Sequence, residues 1–399
     1  MKPVKLLFYN QLLSVYASTF GTFLLSWILY EETGSKLAMG TLWLVSISGQ
    51  LIVQFIAGPY IDRFKRTSVM RGSEALRASV YLMLLILISA GFNEEALLYA
   101  AAFLTSITAY DPAAAALVPK LVQKEDLVKV NAGISGGVQF MRFLALPASG
   151  FLVSVLNDKS SLILVVSVFS VSFIMIGFLR EKPAEFENKA PWIKKFKEGT
   201  LIYRKHKILL FLGGLVSITS FGVFAAQTMY IPFVAEVLGG SSFEYGLFDA
   251  SFPLGYIAGS FAASRIKVKE TSIYQIMMLA LFIGGSTYLA LGAAESLAAA
   301  MVIEVAAGAA MPFWNVYSTT LYQKLVPQSI LGQVFSVRFL LTKAAAPLGI
   351  IYGTACASQF GIAALFLSIG AIICTVSGGG LLYLVFRSRS APPQTIIKD

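Results

Sequence analysis

From residue 5 to residue 386 the chain alternates long apolar runs with short polar breaks. A helix rises 1.5 Å per residue and a bilayer core is about 30 Å thick, so one span takes about 20 apolar residues. The pattern predicts spanning helices at 5–30, 38–61, 73–92, 96–117, 127–156, 160–179, 208–236, 243–264, 271–293, 297–322, 332–358 and 362–386. One polar break is longer than the rest: "REKPAEFENKAPWIKKFKEGTLIYRKHK", residues 180–207, divides the spans six and six. The expected organisation is a six-helix bundle over 1–179, a cytoplasmic central loop over 180–207, a second six-helix bundle over 208–386 and a cytoplasmic tail over 387–399. Within the loop, Trp192, Ile193 and Phe196 stand among lysines. That pattern fits a helix lying on the inner leaflet or a solvated linker equally well.

The amino terminus, "MKPVKLLFYNQLLSVYASTFGTFLLSWILY", begins like a signal peptide. Its apolar run is too long for one, carries Asn10 and Gln11 early, and lacks a small-residue cleavage site, so it reads as an uncleaved first helix. Basic residues set the orientation. With the amino terminus inside, the outer loops hold Glu31, Glu32, Glu94, Glu95, Asp158, Glu236 and Glu295 against only Lys36 and Lys159. The reverse orientation puts most bases outside, against the positive-inside bias. Both termini are therefore expected in the cytoplasm.

Composition then narrows the function. The chain is 57% hydrophobic and 13% charged, where soluble domains carry about 25% charge. The reading is an all-α integral membrane protein, multi-pass in a cell membrane, with no room for a separate soluble domain. The net charge of +10 follows from topology and does not call for nucleic acid. Cys356 and Cys374 lie in apolar runs and form neither a disulfide framework nor a metal site. There is no G-x-x-x-x-G-K-[ST] loop for an ATP-driven pump, and no H-E-x-x-H. The single histidine, His206, sits in a basic loop as a surface residue. An enzyme is not expected, nor a cofactor.

The two halves repeat weakly. "PKLVQKED" (119–126) follows the fourth span and "QKLVPQSI" (323–330) the tenth. Each precedes a long helix with a proline past its middle, Pro147 and Pro347. "GPYIDRFKR" (58–66) after the second span has a worn echo in "GSFAASRIK" (259–267) after the eighth. Six plus six duplicated spans are a transporter architecture.

The spacing Gly58-x-x-x-Asp62-Arg63-x-x-Arg66 resembles the loop signature of the major facilitator superfamily. Three further stretches, 111–133, 321–336 and 344–353, look like the macrolide-efflux branch of its drug exporters. Two departures stand out. Phe64-Lys65 replaces the glycine often found between the arginines, and the fourth span lacks the arginine of many proton-driven antiporters. The resemblance implies twelve transmembrane helices in two bundles. It also implies a latch in which Asp62 meets the start of the eleventh span near Leu331–Gln333 while Arg63 and Arg66 tether nearby loops. Such a contact with a helix terminus is worth about 0.3–2 kcal/mol. The bland alternative is that the bases only set topology. "FLALPASGFLV" (143–153) partly resembles the proline–glycine stretch of exporters, with Leu146 where a glycine usually precedes the proline.

Four charges fall deep in the predicted spans: Arg142, Asp249, Glu304 and Lys343. The third and sixth spans are expected to carry none and to face lipid. A buried charge costs at least about 2.5–3.5 kcal/mol on insertion scales, so each marks a structural ion pair or a functional site. Arg142 lies 142 − 127 = 15 residues from the inner end of its span and Asp249 264 − 249 = 15, about 22 Å for each. The resemblance sets their two spans face to face, which makes them the expected ion pair between halves. The overall reading is a proton-coupled antiporter that exports small amphipathic molecules, macrolide-like antibiotics among them, by alternating access. Glu304 is the first candidate proton carrier and Asp249 the second. Asn10, Gln54, Gln139, Arg142, Gln227, Asn315 and Lys343 are candidates for the substrate cavity. The expected partners are a small-molecule substrate, protons and membrane lipids, with no nucleic acid and a monomeric chain. The alternatives are export of a siderophore, a self-made peptide or a metabolite, and an uncoupled lipid transporter or uniporter.

Overall fold

The computed structural model describes residues 3–61, 64–92, 94–122, 127–179, 181, 201, 203, 207–266, 272–326 and 328–390. Among these the chain is helical throughout: α1 (Pro3–Thr33), α2 (Lys36–Ile61), α3 (Arg66–Ser89), α4 (Glu95–Ser106), α5 (Tyr110–Leu121), α6 (Leu127–Val155), α7 (Asp158–Gly177), α8 (Lys207–Gln227), α9 (Ser242–Arg265), α10 (Ile273–Gly292), α11 (Leu297–Leu325), α12 (Gln328–Phe360) and α13 (Ile362–Ser390). A helical turn at Tyr230–Pro232 runs into a π-helix at Phe233–Val237. Eleven segments among the described residues are long and apolar enough to cross a membrane, with α4 and α5 together making one of them. At 24 residues α9 is long enough, but it carries Glu244, Asp249 and Arg265 and is not among the eleven.

Local chemistry sets the helix ends. Asn157 caps α7 by accepting a hydrogen bond from the Ser160 N–H at 2.8 Å, and the Ser296 hydroxyl does the same for α11. Gly34 turns α1 into α2 at φ 55°, a conformation that side chains with a Cβ rarely adopt. Two spans are broken by proline. Pro112 cannot donate to the carbonyl of residue 108, and the fourth span is interrupted at 107–109 between α4 and α5. Pro232 cannot donate to Thr228, and α8 stops at Gln227 before the chain resumes at Tyr230.

The chain forms two compact units. The first gathers Met1–Trp192 with Gly240–Leu247. Here α1 packs on α6 and α7, α3 on α7, α5 and α4, and α2 on α4. Residues 240–247 lie against the second half of α6. Gly150 sits directly under the Ser242 carbonyl, and a Cβ on Gly246 would meet the Leu146 carbonyl at 2.7 Å. The Ser242 hydroxyl donates to the Gly150 carbonyl at 3.3 Å, and Tyr245 packs on Phe23 and Trp27. Gly150→Ala is therefore expected to push this segment off α6. It should unfold at lower temperature than Gly214→Ala, whose added methyl meets nothing within 4 Å; equal melting temperatures would refute the contact.

The second unit holds Ile193–Gly239 with Phe248–Asp399. In it α10 packs on α13 and α11, and α8 on α12. Small residues allow the close approaches that helices need where water gives no hydrophobic push. Gly255 and Gly259 of α9 lie on the backbone of Val305 and Ala309, and Gly308 of α11 on that of Phe252.

One expectation fails here. The third span is not free of charge, because Glu74 and Arg77 are on α3 and both are sheltered: Glu74 is fully buried and the Arg77 side chain is 12% exposed. A span starting at 73 puts both within about a turn of the surface. The helix starts at Arg66, which sets Glu74 eight residues, about 12 Å, inside.

Candidate functional site

In the second unit α11 carries Glu304 into the interior, where it is 3% exposed. Tyr230 opens the segment after the proline break, and its hydroxyl donates to Glu304 Oε1 at 2.8 Å. The rings of Phe248 and Phe366 stand edge-on to Tyr230 at 5.1 and 6.2 Å. Beside this pair is a mostly apolar cavity of about 60 Å³, whose polar lining comes from Thr219, Tyr230, Thr287, Tyr288 and Glu304. A water needs roughly 10–15 Å³ of such space, so several fit. Met311, two turns along α11, lines the same cavity. Asp249, half-buried on α9, is close enough to act on Glu304 electrostatically. A bare carboxylate in apolar surroundings is costly unless it is paired or takes up a proton. Glu304 has a hydroxyl donor and a cavity large enough for water beside it and makes no ion pair among the described residues, which suits a group that gains and loses a proton.

The other sequence candidates of this unit lie elsewhere. Asn315 donates to the Tyr256 hydroxyl at 3.3 Å. Gln227 is half-buried at the end of α8. Lys343 on α12 stands over the Phe224 ring, its Nζ 5.7 Å from the centroid.

In the first unit the polar interior is a cross-helix tie. Asn10 of α1 is fully buried. It donates to the Ser172 carbonyl and hydroxyl of α7 at 2.9 and 2.8 Å and accepts from the Tyr110 hydroxyl of α5 at 2.6 Å. Next to it the Ser14 hydroxyl donates to Glu74 Oε1 at 2.6 Å. Arg77 reaches Ser14, Ser18 and Glu74 Oε1 at 3.4, 3.1 and 3.7 Å. Gln139 and Arg142 are exposed on α6. Asp249 belongs to the second unit, Arg142 to the first.

A third cluster closes one end of the first unit. Glu181 follows α7 and its side chain is 1% exposed. Oε2 accepts from the backbone N–H and the hydroxyl of Thr67 at 3.1 and 3.3 Å, so the carboxylate covers the positive start of α3. Oε1 accepts from Lys120 Nζ at 2.9 Å, with Arg66 at 3.8 Å. Burial pushes the Glu181 carboxyl up. The hydrogen bonds from Lys120 and Thr67, with the charges of Lys120 and Arg66, outweigh it and hold the group below the usual carboxylate range. Arg66 is the member of the 58–66 signature whose side chain is described. Asp62 and Arg63 lie outside the described residues, as do the surroundings of Gly58 and the side chain of Gln54 on α2. Sequence reasoning missed Glu74, Arg77 and Glu181. The i, i+3 spacing of Glu74 and Arg77 was the available signal for the first two.

The sequence model of the Major Facilitator Superfamily matches residues 7–350. An uncharacterised MFS-type transporter of Bacillus subtilis, YvqJ, is 23% identical over 98% of this chain and 94% of its own length. Macrolide efflux protein A of Streptococcus pyogenes is 24% identical over 94% of this chain and 95% of its own. Among solved structures, the nucleoside transporter NupG superposes with a TM-score of 0.73 at 11% identity, covering 98% of this chain and all of that one. A bacterial homologue of the iron transporter ferroportin, inward-facing, gives 0.72 at 15% identity, covering 95% and 98%. These two share the fold. A match over most of the sequence and a helical membrane architecture common to known transporters lead to one conclusion: the chain is a multi-pass membrane transporter that belongs to the Major Facilitator Superfamily.

Proposed function

We propose that this transporter is a proton-coupled antiporter that exports small amphipathic molecules, macrolide antibiotics among them, across the bacterial plasma membrane by alternating access. The observation that carries the coupling is Glu304, buried and held by Tyr230 beside a cavity large enough for water. The relation to macrolide efflux protein A supports the substrate class and the outward direction. The proline breaks support a transport role, because discontinuous helices form the binding sites of many transporters. In this reading α9, eighth in chain order, joins the eleven apolar segments to make twelve spans, the spans form two six-helix bundles joined by the 180–207 loop, both termini are cytoplasmic, and the chain works as a monomer among lipids.

Inverted membrane vesicles test the reading. Labelled erythromycin should accumulate when a pH gradient is imposed and leak back when the gradient is collapsed. Accumulation that ignores the gradient would make the protein a uniporter. The latch has its own test. Asp62→Asn keeps size and removes charge, and is expected to lower the transport rate severalfold at unchanged expression. Transport at the native rate would reduce the 58–66 bases to topology signals.

A further inference from the structure

Glu74 makes the first unit more than a packing partner. Its side chain is fully buried. Oε1 is served by Ser14, but among the described residues Oε2 has no hydrogen-bond partner. The one ion contact among the described residues, from Arg77, is at 3.7 Å and falls on the oxygen already hydrogen-bonded. A permanently ionised carboxylate so deep is expected to have both oxygens satisfied. We propose that Glu74 is a second proton-exchanging carboxyl of this transporter. The proton adds to Oε2 and returns from there to water.

The surroundings support both charge states. When Glu74 is neutral, Arg77 still has the hydroxyls of Ser14 and Ser18. It also lies 5.8 Å from the ring centres of Tyr110 and Phe169, within cation–π range. Arg77 is thus not left bare when its acid partner takes up a proton. The other groups facing Glu74 are few. From α5 come Tyr110 and the exposed Asp111, and from α7 the Ser172 hydroxyl, which stands beside the carboxyl and accepts from Asn10. From α1 come Ser14 and Ser18. A metal cation is a poor occupant, because the Arg77 guanidinium already stands beside the carboxylate and a sodium or calcium ion needs about six oxygens. The place of Glu74 in a transport cycle rests on the proton-coupled reading above; its protonation does not.

Infrared spectroscopy of the purified full-length protein reads this without substrate or gradient. Lowering the pH should bring up carbonyl bands of protonated carboxylic acids. Glu74→Gln is expected to remove one of them and to leave the band that Glu304→Gln removes. Ser14→Ala keeps the carboxyl and deletes its hydrogen bond, so it should move that same band in frequency without removing it. A Glu74→Gln spectrum that superimposes on the wild type over the whole titration overturns the proposal, and so does a Ser14→Ala spectrum with no moved band. If instead the Glu304 band is missing while that of Glu74 stands, the coupling reading fails and this one holds.

Discussion

Glu304→Gln is expected to leave the protein folded and able to bind erythromycin, and to abolish its gradient-driven accumulation. The amide has the size of the carboxyl and can still accept the Tyr230 hydroxyl at Oε1, so packing around Tyr230, Phe248 and Phe366 is kept. It has no site for a proton. Binding, read by tryptophan fluorescence, should stay within about threefold, a change of less than 1 kcal/mol, while accumulation in inverted vesicles falls to the level of empty membranes. Tyr230→Phe provides the graded case. It keeps the carboxyl and deletes one hydrogen bond to it, worth about 1.5–3 kcal/mol when the partner is charged, and should give an intermediate rate. Full accumulation in Glu304→Gln would remove the group from the coupling path.

Most of the helices were legible in the sequence, because a spanning run of apolar residues is the one signal a bilayer imposes on a chain. Glu304 was legible for the same reason: it is the single acid in an apolar run of some 26 residues, 297–322. Reading by apolar windows had two costs. It passed over Pro112 and Pro232, so the breaks at 107–109 and after Gln227 were not foreseen although both prolines are in plain view. It also fixed helix starts where apolarity begins. The helix of α3 begins seven residues earlier than the apolar run, at Arg66, and carries Glu74 and Arg77 inward. Glu181 was hidden differently. It opens a polar stretch that reads as loop, and only the fold brings it back onto Thr67 and Lys120. Pairings between residues 61 and 114 positions apart leave no local trace.

Glu181→Gln is expected to destabilise the protein by about 3 kcal/mol near pH 7, the lower end for breaking a buried ion pair. The change removes the charge that faces the start of α3, Lys120 and Arg66 together. Arg66 is 9% exposed, so solvent does little to replace the lost partner. The wild-type carboxyl is held below the usual carboxylate range, so it binds fewer protons folded than unfolded. Its contribution is complete above the ordinary range of about pH 4–5 and is lost as pH falls through the lowered folded value. Thermal unfolding in detergent should therefore separate wild type and Glu181→Gln clearly near pH 7, and the gap should narrow steadily below about pH 4.5. Lys120→Met removes one cation at the 26%-exposed side of the cluster and should cost less than Glu181→Gln, since the carboxylate keeps its two bonds from Thr67. A gap between wild type and Glu181→Gln that is the same at pH 7 and pH 4 would show that the side chain acts there by shape and hydrogen bonding and not by its charge.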